Sequence, residues 1–195
     1  VSAYSITGLD GVNWVEINNS DINKMLQYQN EAIAVGATMF NRLEWVTYDT
    51  ETEAIYMTET GRDNPGKSWA GASAAGAVHS EHSLARAAEQ GVDVNSGDYW
   101  DYYGRVLKYD PATEDITVHI EGGPYLASSP TQSSYPENHL SNPDGLTTMT
   151  VNGKNYLVIC EDLNGTSHGR VPAGITNRTC ELYLLDLAIE NPTTE

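Results

Sequence analysis

Arg42 and Glu44 stand two residues apart at the start of an alternating run, Trp45-Val-Thr-Tyr-Asp49, and Asp144 stands in Asn142-Pro-Asp-Gly145 before another such run. Carboxylates placed there suit hard cations such as Ca²⁺, whose ligands are oxygens. A guanidinium beside them suits an oxyanion such as phosphate, because its planar fork matches two oxygens at once. Cations so held would neutralise a phosphate, activate an oxygen nucleophile and stabilise a leaving oxygen, while Arg42 steadied the charge that moves in the transition state. The alternative at the same spacing is an ordinary ion pair, since residues two apart on a strand share a face. Glu59, Glu161 and Asp162 close the strands that follow and are further oxygen donors by position.

Strand entrances must hold these residues. Leu146 to Val151 and Asn155 to Cys160 alternate as two β-strands joined by Asn152-Gly153, whose residue types accept the positive φ values of a two-residue hairpin turn. Asn142-Pro143-Asp144-Gly145 reads as a tight turn, with Pro presetting φ and Gly taking φ > 0, so that Asp144 sits where the chain enters the first strand. A similar unit lies earlier: Trp45 to Asp49, a polar turn, then Ala54 to Glu59, with Glu44 in the place of Asp144 and Glu59 in that of Glu161. After each unit come a long insertion and another strand ending near an Asp, Gly104 to Asp110 and Cys180 to Asp186; Arg105 to Asp110 pairs onward with Ile116 to Ile120. Self-similarity at a long period marks propeller blades, so the expected fold is all-β, a partial β-propeller of about two four-stranded blades with helical and loop insertions. The blade-like units span 41–120 and 141–195 with an insertion over 60–103, and the chain reads as part of a single larger propeller domain.

Outside the blades, Ser20 predicts an N-cap for a helix over Asp21 to Ala34, whose stripe of Ile22, Met25, Leu26 and Ile33 is expected to pack on a sheet. Within the insertion, His79 to Gln90 predicts a short helix ended by Gly91. His79 and His82 share a helix face, a spacing a transition metal could use, but without further ligands nearby a solvated helix is the preferred reading. Asp98-Tyr-Trp-Asp-Tyr-Tyr103 is expected to pack under the insertion, the alternative being a substrate entrance. His139 precedes Asp144 and could approach the site, with a surface imidazole the simpler reading, and the loop from Leu163 to Asn177 carries His168 and Arg170.

Lys and Arg number 10 against 27 Asp and Glu, a formal net charge of −17 that repels nucleic acid and anionic membranes at long range. Nucleic-acid binding is therefore not expected. No run approaches the roughly 18 apolar residues of a membrane span, and no signal peptide is read here, so any export signal is expected to have been removed or to lie outside this sequence. Cys160 and Cys180 lie at strand ends, where a disulfide and buried thiols are both open. Asn164-Gly-Thr and Asn177-Arg-Thr fit a glycosylation sequon that also arises by chance.

Asn41-Arg-Leu-Glu-Trp45 at one blade entrance and Ser141-Asn-Pro-Asp-Gly-Leu146 at the next resemble the PhoX-type alkaline phosphatases, secreted bacterial β-propeller enzymes. The resemblance covers about residues 36 to 188, and family members are longer, so the chain looks like a fragment of one. It implies hydrolysis of small phosphate monoesters at iron and calcium ions in the propeller channel, and a secreted or periplasmic bacterial location. Glu44 and Asp144 match acidic metal ligands, and Arg42 matches a phosphate-contacting arginine. The remaining blades of the parent chain would be its structural partners. Cys160 does not lie in the family's cysteine motif, Leu43 replaces a commonly found Pro, and the 60–103 insertion departs from the pattern. A non-catalytic calcium-binding propeller module and a calcium-dependent esterase or lactonase are the competing readings of the same scaffold.

Overall fold

Alternating side chains and three turns with residues at positive φ, Glu53, Glu114 and Asn152-Gly153, build most of the two larger sheets. The computed structural model describes residues 2–6, 12–16, 21–35, 40, 42–61, 81–94, 99, 103–123, 140–162, 180–190 and 192. A hairpin of β1 (Ser2–Ile6) and β2 (Val12–Glu16) comes first, followed by two short helices, α1 (Ile22–Leu26) and α2 (Tyr28–Ala34). Next is a four-stranded antiparallel sheet, β3 (Leu43–Asp49), β4 (Ala54–Glu59), β5 (Arg105–Asp110) and β6 (Asp115–Glu121), in sequential order. Helix α3 (Glu81–Gln90) lies between β4 and β5. A second antiparallel sheet holds, among the described residues, β7 (Pro143–Val151), β8 (Lys154–Glu161) and β9 (Leu182–Asp186).

The two sheets stack face to face. Ala54, Tyr56, Val106 and Ile120 of the first meet Leu146, Leu157 and Ile159 of the second, with Leu140 from the connector, in one buried cluster. At the hairpin end, Asn155 Nδ2 of β8 donates to Asp49 Oδ1 at 2.6 Å, and the Thr52 N–H and hydroxyl occupy Asp49 Oδ2 at 2.9 and 2.6 Å. Burial would raise the Asp49 carboxyl, but those bonds outweigh it and hold it below the ordinary range.

Asn152 and Gly153 take φ of 52° and 75°, as the β7–β8 turn requires. Three expectations are corrected. The positive φ beside Asp144 belongs to Asn142, at 52°, and not to Gly145; Pro143, Asp144 and Gly145 are already part of β7, which is bulged there rather than turned. The predicted 21–34 helix is broken at Gln27 and capped by Asp21, whose carboxylate accepts from the N–H groups of Asn23 and Lys24 at 2.8 and 3.0 Å, in place of Ser20. The part of its apolar stripe in α1 does not pack on a sheet: Ile22 is 64% and Leu26 76% exposed, while the Ile33 side chain lies outside the described residues.

The insertion helix is also more than a solvated surface. Gly91 (φ 70°) ends α3 with Val92 N–H donating to Ala87 O, a six-to-one closure. Ser83, Arg86 and Ala87 are buried. Arg86 donates to Gly122 O at 2.5 Å, sits 3.6 Å from the Glu121 carboxylate and lies over the Tyr103 ring. Tyr99 and Tyr103 are buried, in keeping with an aromatic cluster packed under the insertion. The expected roles of His79, the His82 side chain, His139, His168, Arg170 and both sequons lie outside the described residues.

Candidate functional site

The same local device opens both sheets. Arg42 and Asn142 take φ of 62° and 52°, the left-handed region that ordinary side chains avoid. Each is followed by a strand whose first residue pairs regularly, Leu43 with Glu59 and Pro143 with Glu161, and the register then slips by one residue before Val46 and Leu146. Glu44 and Asp144 sit in these bulges, where an extra residue re-aims the side chain away from the ladder. The closing bonds correspond too: Thr60 N–H donates to Arg42 O at 3.0 Å, and Asp162 N–H to Asn142 O at 2.8 Å.

The stacked sheets bring these entrances together. The Asp144 carboxyl is pushed up, first by burial and then by the negative charges of Glu44 and Asp162, with the Arg42 guanidinium pulling the other way. Glu44, Asp144, Asp162 and Arg42 therefore form one electrostatic cluster. Arg42 donates to Glu44 at 3.2 Å and is one-fifth exposed. That ion pair was one of the two readings of the spacing, although Arg42 precedes the strand and meets Glu44 through the left-handed backbone and the bulge, not through strand alternation.

Glu59 and Glu161 stand apart from the cluster in what they hold. Glu59 is fully buried and accepts from Arg105 Nε at 2.6 Å. Glu161 accepts the Ser141 N–H at 2.7 Å and the Glu181 N–H at 3.0 Å, tying the connector and the approach to β9 onto β8. No disulfide joins Cys160 and Cys180, and both thiols are exposed.

Blade-to-blade hydrogen bonds escaped the sequence reading. Thr58 Oγ1 donates to Asp144 O at 2.8 Å, Thr60 Oγ1 to Pro143 O at 2.7 Å, and Asn142 Nδ2 to Thr60 O at 2.7 Å. Thr58, Thr60 and Asn142 are all fully buried. Their sequence signal is slight: Thr58-x-Thr60 puts two hydroxyls on one face of a strand whose other residues on that face, Ala54 and Tyr56, belong to the core.

The family profile described as alkaline phosphatase PhoX matches residues 1–189. The chain belongs to the PhoX alkaline phosphatase family. Its structure is similar to that of Pseudomonas fluorescens PhoX in complex with vanadate, a transition state analogue, with a TM-score of 0.56 and 19% identity. That match covers 91% of this chain and 30% of the other, so this chain spans less than a third of that PhoX's length. No curated protein matches it. The partial β-propeller expected from the blade repeat is borne out, its sheets not closed into a ring.

PhoX membership raises the question of metal. Glu44, Asp144 and Asp162 offer oxygen donors alone, which suits a hard cation, and their mutual repulsion at Asp144 is what a bound cation would relieve. The donor chemistry thus fits Ca²⁺, and nothing in it favours iron over calcium. Among the described residues, no three His, Cys, Asp or Glu side chains are gathered tightly enough to hold an ion by themselves, so the cluster is a partial donor set.

Proposed function

We propose that the chain forms part of a metal-dependent hydrolase of phosphate monoesters, a single larger propeller whose remaining blades complete the ring. The observation that supports it most is the convergence of Arg42, Glu44 and Asp144 from the strand entrances of two stacked blades, with Asp162 from just past the end of β8. Family membership narrows the chemistry of such a cluster to phosphoester hydrolysis.

In this reading Glu44, Asp144 and Asp162 would supply part of the oxygen donors to calcium, with iron a further candidate by family. When bound, such cations supply charge neutralisation and an activated oxygen nucleophile. Arg42 would bind and orient the phosphate oxygens, the planar fork that now meets Glu44 being suited to two oxygens of the ester. The left-handed backbone at Arg42 and the bulge that follows fix where the guanidinium starts. Asp144 has to be ionised to act, and burial with the negative charges of Glu44 and Asp162 opposes that ionisation, which a cation held beside it would favour. The substrate is a small phosphate ester. The protein's place on this reading is secreted or periplasmic in a bacterium, which fractionation of producing cells checks.

The Arg42–Glu44 ion pair also suits a second reading, a non-catalytic module with structural Ca²⁺. Turnover of p-nitrophenyl phosphate by the full-length protein, with and without chelator, separates the two. The enzyme reading expects chelator-sensitive turnover that falls by about 10²–10³-fold in Arg42→Ala, as loss of a charge-stabilising donor does. Absence of chelator-sensitive turnover refutes it in favour of the module.

A further inference from the structure

We propose that Thr58 is a positioning residue that sets the spacing of the Glu44 and Asp144 carboxylates and, through that spacing, the cation affinity of the cluster; the inference rests on the metal-dependent reading above. Thr58 lies on β4 opposite the bulge of β3, where Glu44 and Trp45 share the place of one regular residue between the Leu43–Glu59 and Val46–Met57 pairs. Its hydroxyl oxygen accepts the Trp45 N–H at 3.0 Å, next to Glu44. Its hydroxyl proton goes to the Asp144 carbonyl at 2.8 Å, across the interface and 86 positions along the chain. The alternative acceptor, Trp45 O, is at 3.5 Å and too distant to compete. One buried oxygen therefore touches both bulges, each at the backbone of an acidic residue or of its neighbour.

The chemistry of threonine suits this position. A single hydroxyl oxygen can accept and donate at once, whereas an amide divides the two roles between separate atoms and an apolar side chain has neither. Thr58 is completely buried, so water cannot stand in for it, and β-branching limits its side-chain rotamers. Two residues on, just past the end of β4, Thr60 holds the Pro143 carbonyl at 2.7 Å, so that successive carbonyls of the β7 bulge are each fixed by a threonine hydroxyl. Position 160, the counterpart of Thr58 opposite the β7 bulge, is Cys160, an exposed side chain on the last sheet described. The hydroxyl thus stands only in the first sheet, on the face that meets the second.

The test is calorimetric titration of Ca²⁺ into the metal-stripped full-length protein and its variants, with far-UV circular dichroism to show that each is folded. Thr58→Val keeps the shape and removes both bonds; it is expected to weaken Ca²⁺ binding by about 10–100-fold, as loss of a group that orients a ligand does. Thr58→Ser keeps the hydroxyl and is expected to bind as the wild type does. Thr52→Val removes a hydroxyl bond at the opposite end of the same interface and is expected to leave Ca²⁺ affinity unchanged, whereas a merely structural role for Thr58 would move the two valine variants together. A folded Thr58→Val that binds as the wild type, or a Thr52→Val that weakens equally, overturns the inference. Should Thr58→Val not fold, Thr60→Val takes its place, with unchanged affinity again the overturning result. A wild type that binds no Ca²⁺ refutes the proposed function and this inference with it, while a wild type that binds beside an unaffected Thr58→Val refutes the inference alone.

Discussion

Replacing Glu59 by Gln should cost folding stability and leave cation binding alone. Glu59 is 0% and Arg105 1% exposed, and Nε meets Oε2 at 2.6 Å, so neither charge is screened by water. Gln preserves the shape of the side chain but strands the guanidinium in the interior, and removing one member of such a pair costs about 3–5 kcal/mol. For a cooperative unit of about 150–250 residues, that loss lowers the melting temperature by roughly 6–20 °C. Thermal unfolding followed by circular dichroism measures it, alongside Ca²⁺ calorimetry on the folded protein at 25 °C. Replacing both partners, Glu59→Leu with Arg105→Met, should recover most of the loss, because an apolar pair of similar volume leaves no charge behind. A Glu59→Gln protein that melts with the wild type but loses Ca²⁺ would refute the reasoning and make Glu59 a ligand.

His119 packs edge-on to Tyr56 at 5.0 Å and is pushed down to about 4, by burial first and then by Lys108. Because the folded value lies below the unfolded one, its contribution is complete above pH ~6.5 and is lost as pH falls toward 4, about 3 kcal/mol in all. His119→Phe should therefore lose less melting temperature than the wild type across that window, and parallel curves would contradict this. Gly153 and Gly104 share a positive φ, 75° and 73°, but a Cβ at Gly153 meets open space while one at Gly104 overlaps the Glu59 and Thr60 carbonyls. Denaturant titrations should show Gly153→Ala losing about 1–2 kcal/mol from backbone strain. Gly104→Ala should lose a further ~1–3 kcal/mol to overpacking, and equal losses would count against that difference.

Local signals were written plainly in the chain. Asn152-Gly153 specified a hairpin because few residue pairs tolerate two consecutive positive φ values, and alternation in β4 and β8 revealed strands because a sheet face must be either core or surface. The long-period repeat placed Glu44 against Asp144 by analogy before any contact was visible. Where the reading went astray, at Gly145 and over the 21–34 helix, a local pattern was overruled: the bulge moved the positive φ to Asn142, and the apolar stripe of α1 found no sheet to cover.

Proximity was decided by tertiary structure alone. Side chains that read alike in sequence, Glu59 and Glu161 beside Glu44 and Asp144, were sorted by what the second sheet and the neighbouring strands brought to them: a buried guanidinium for one, backbone N–H groups for another, mutual repulsion for the rest. Thr58 carries no chemistry in one dimension. It acquires a role because stacking two blades leaves a carbonyl of one and an N–H of the other facing the same buried oxygen, and buried polar groups must find partners. Spacing along a strand determines which face a residue shares, but the packing of sheets determines what that face meets.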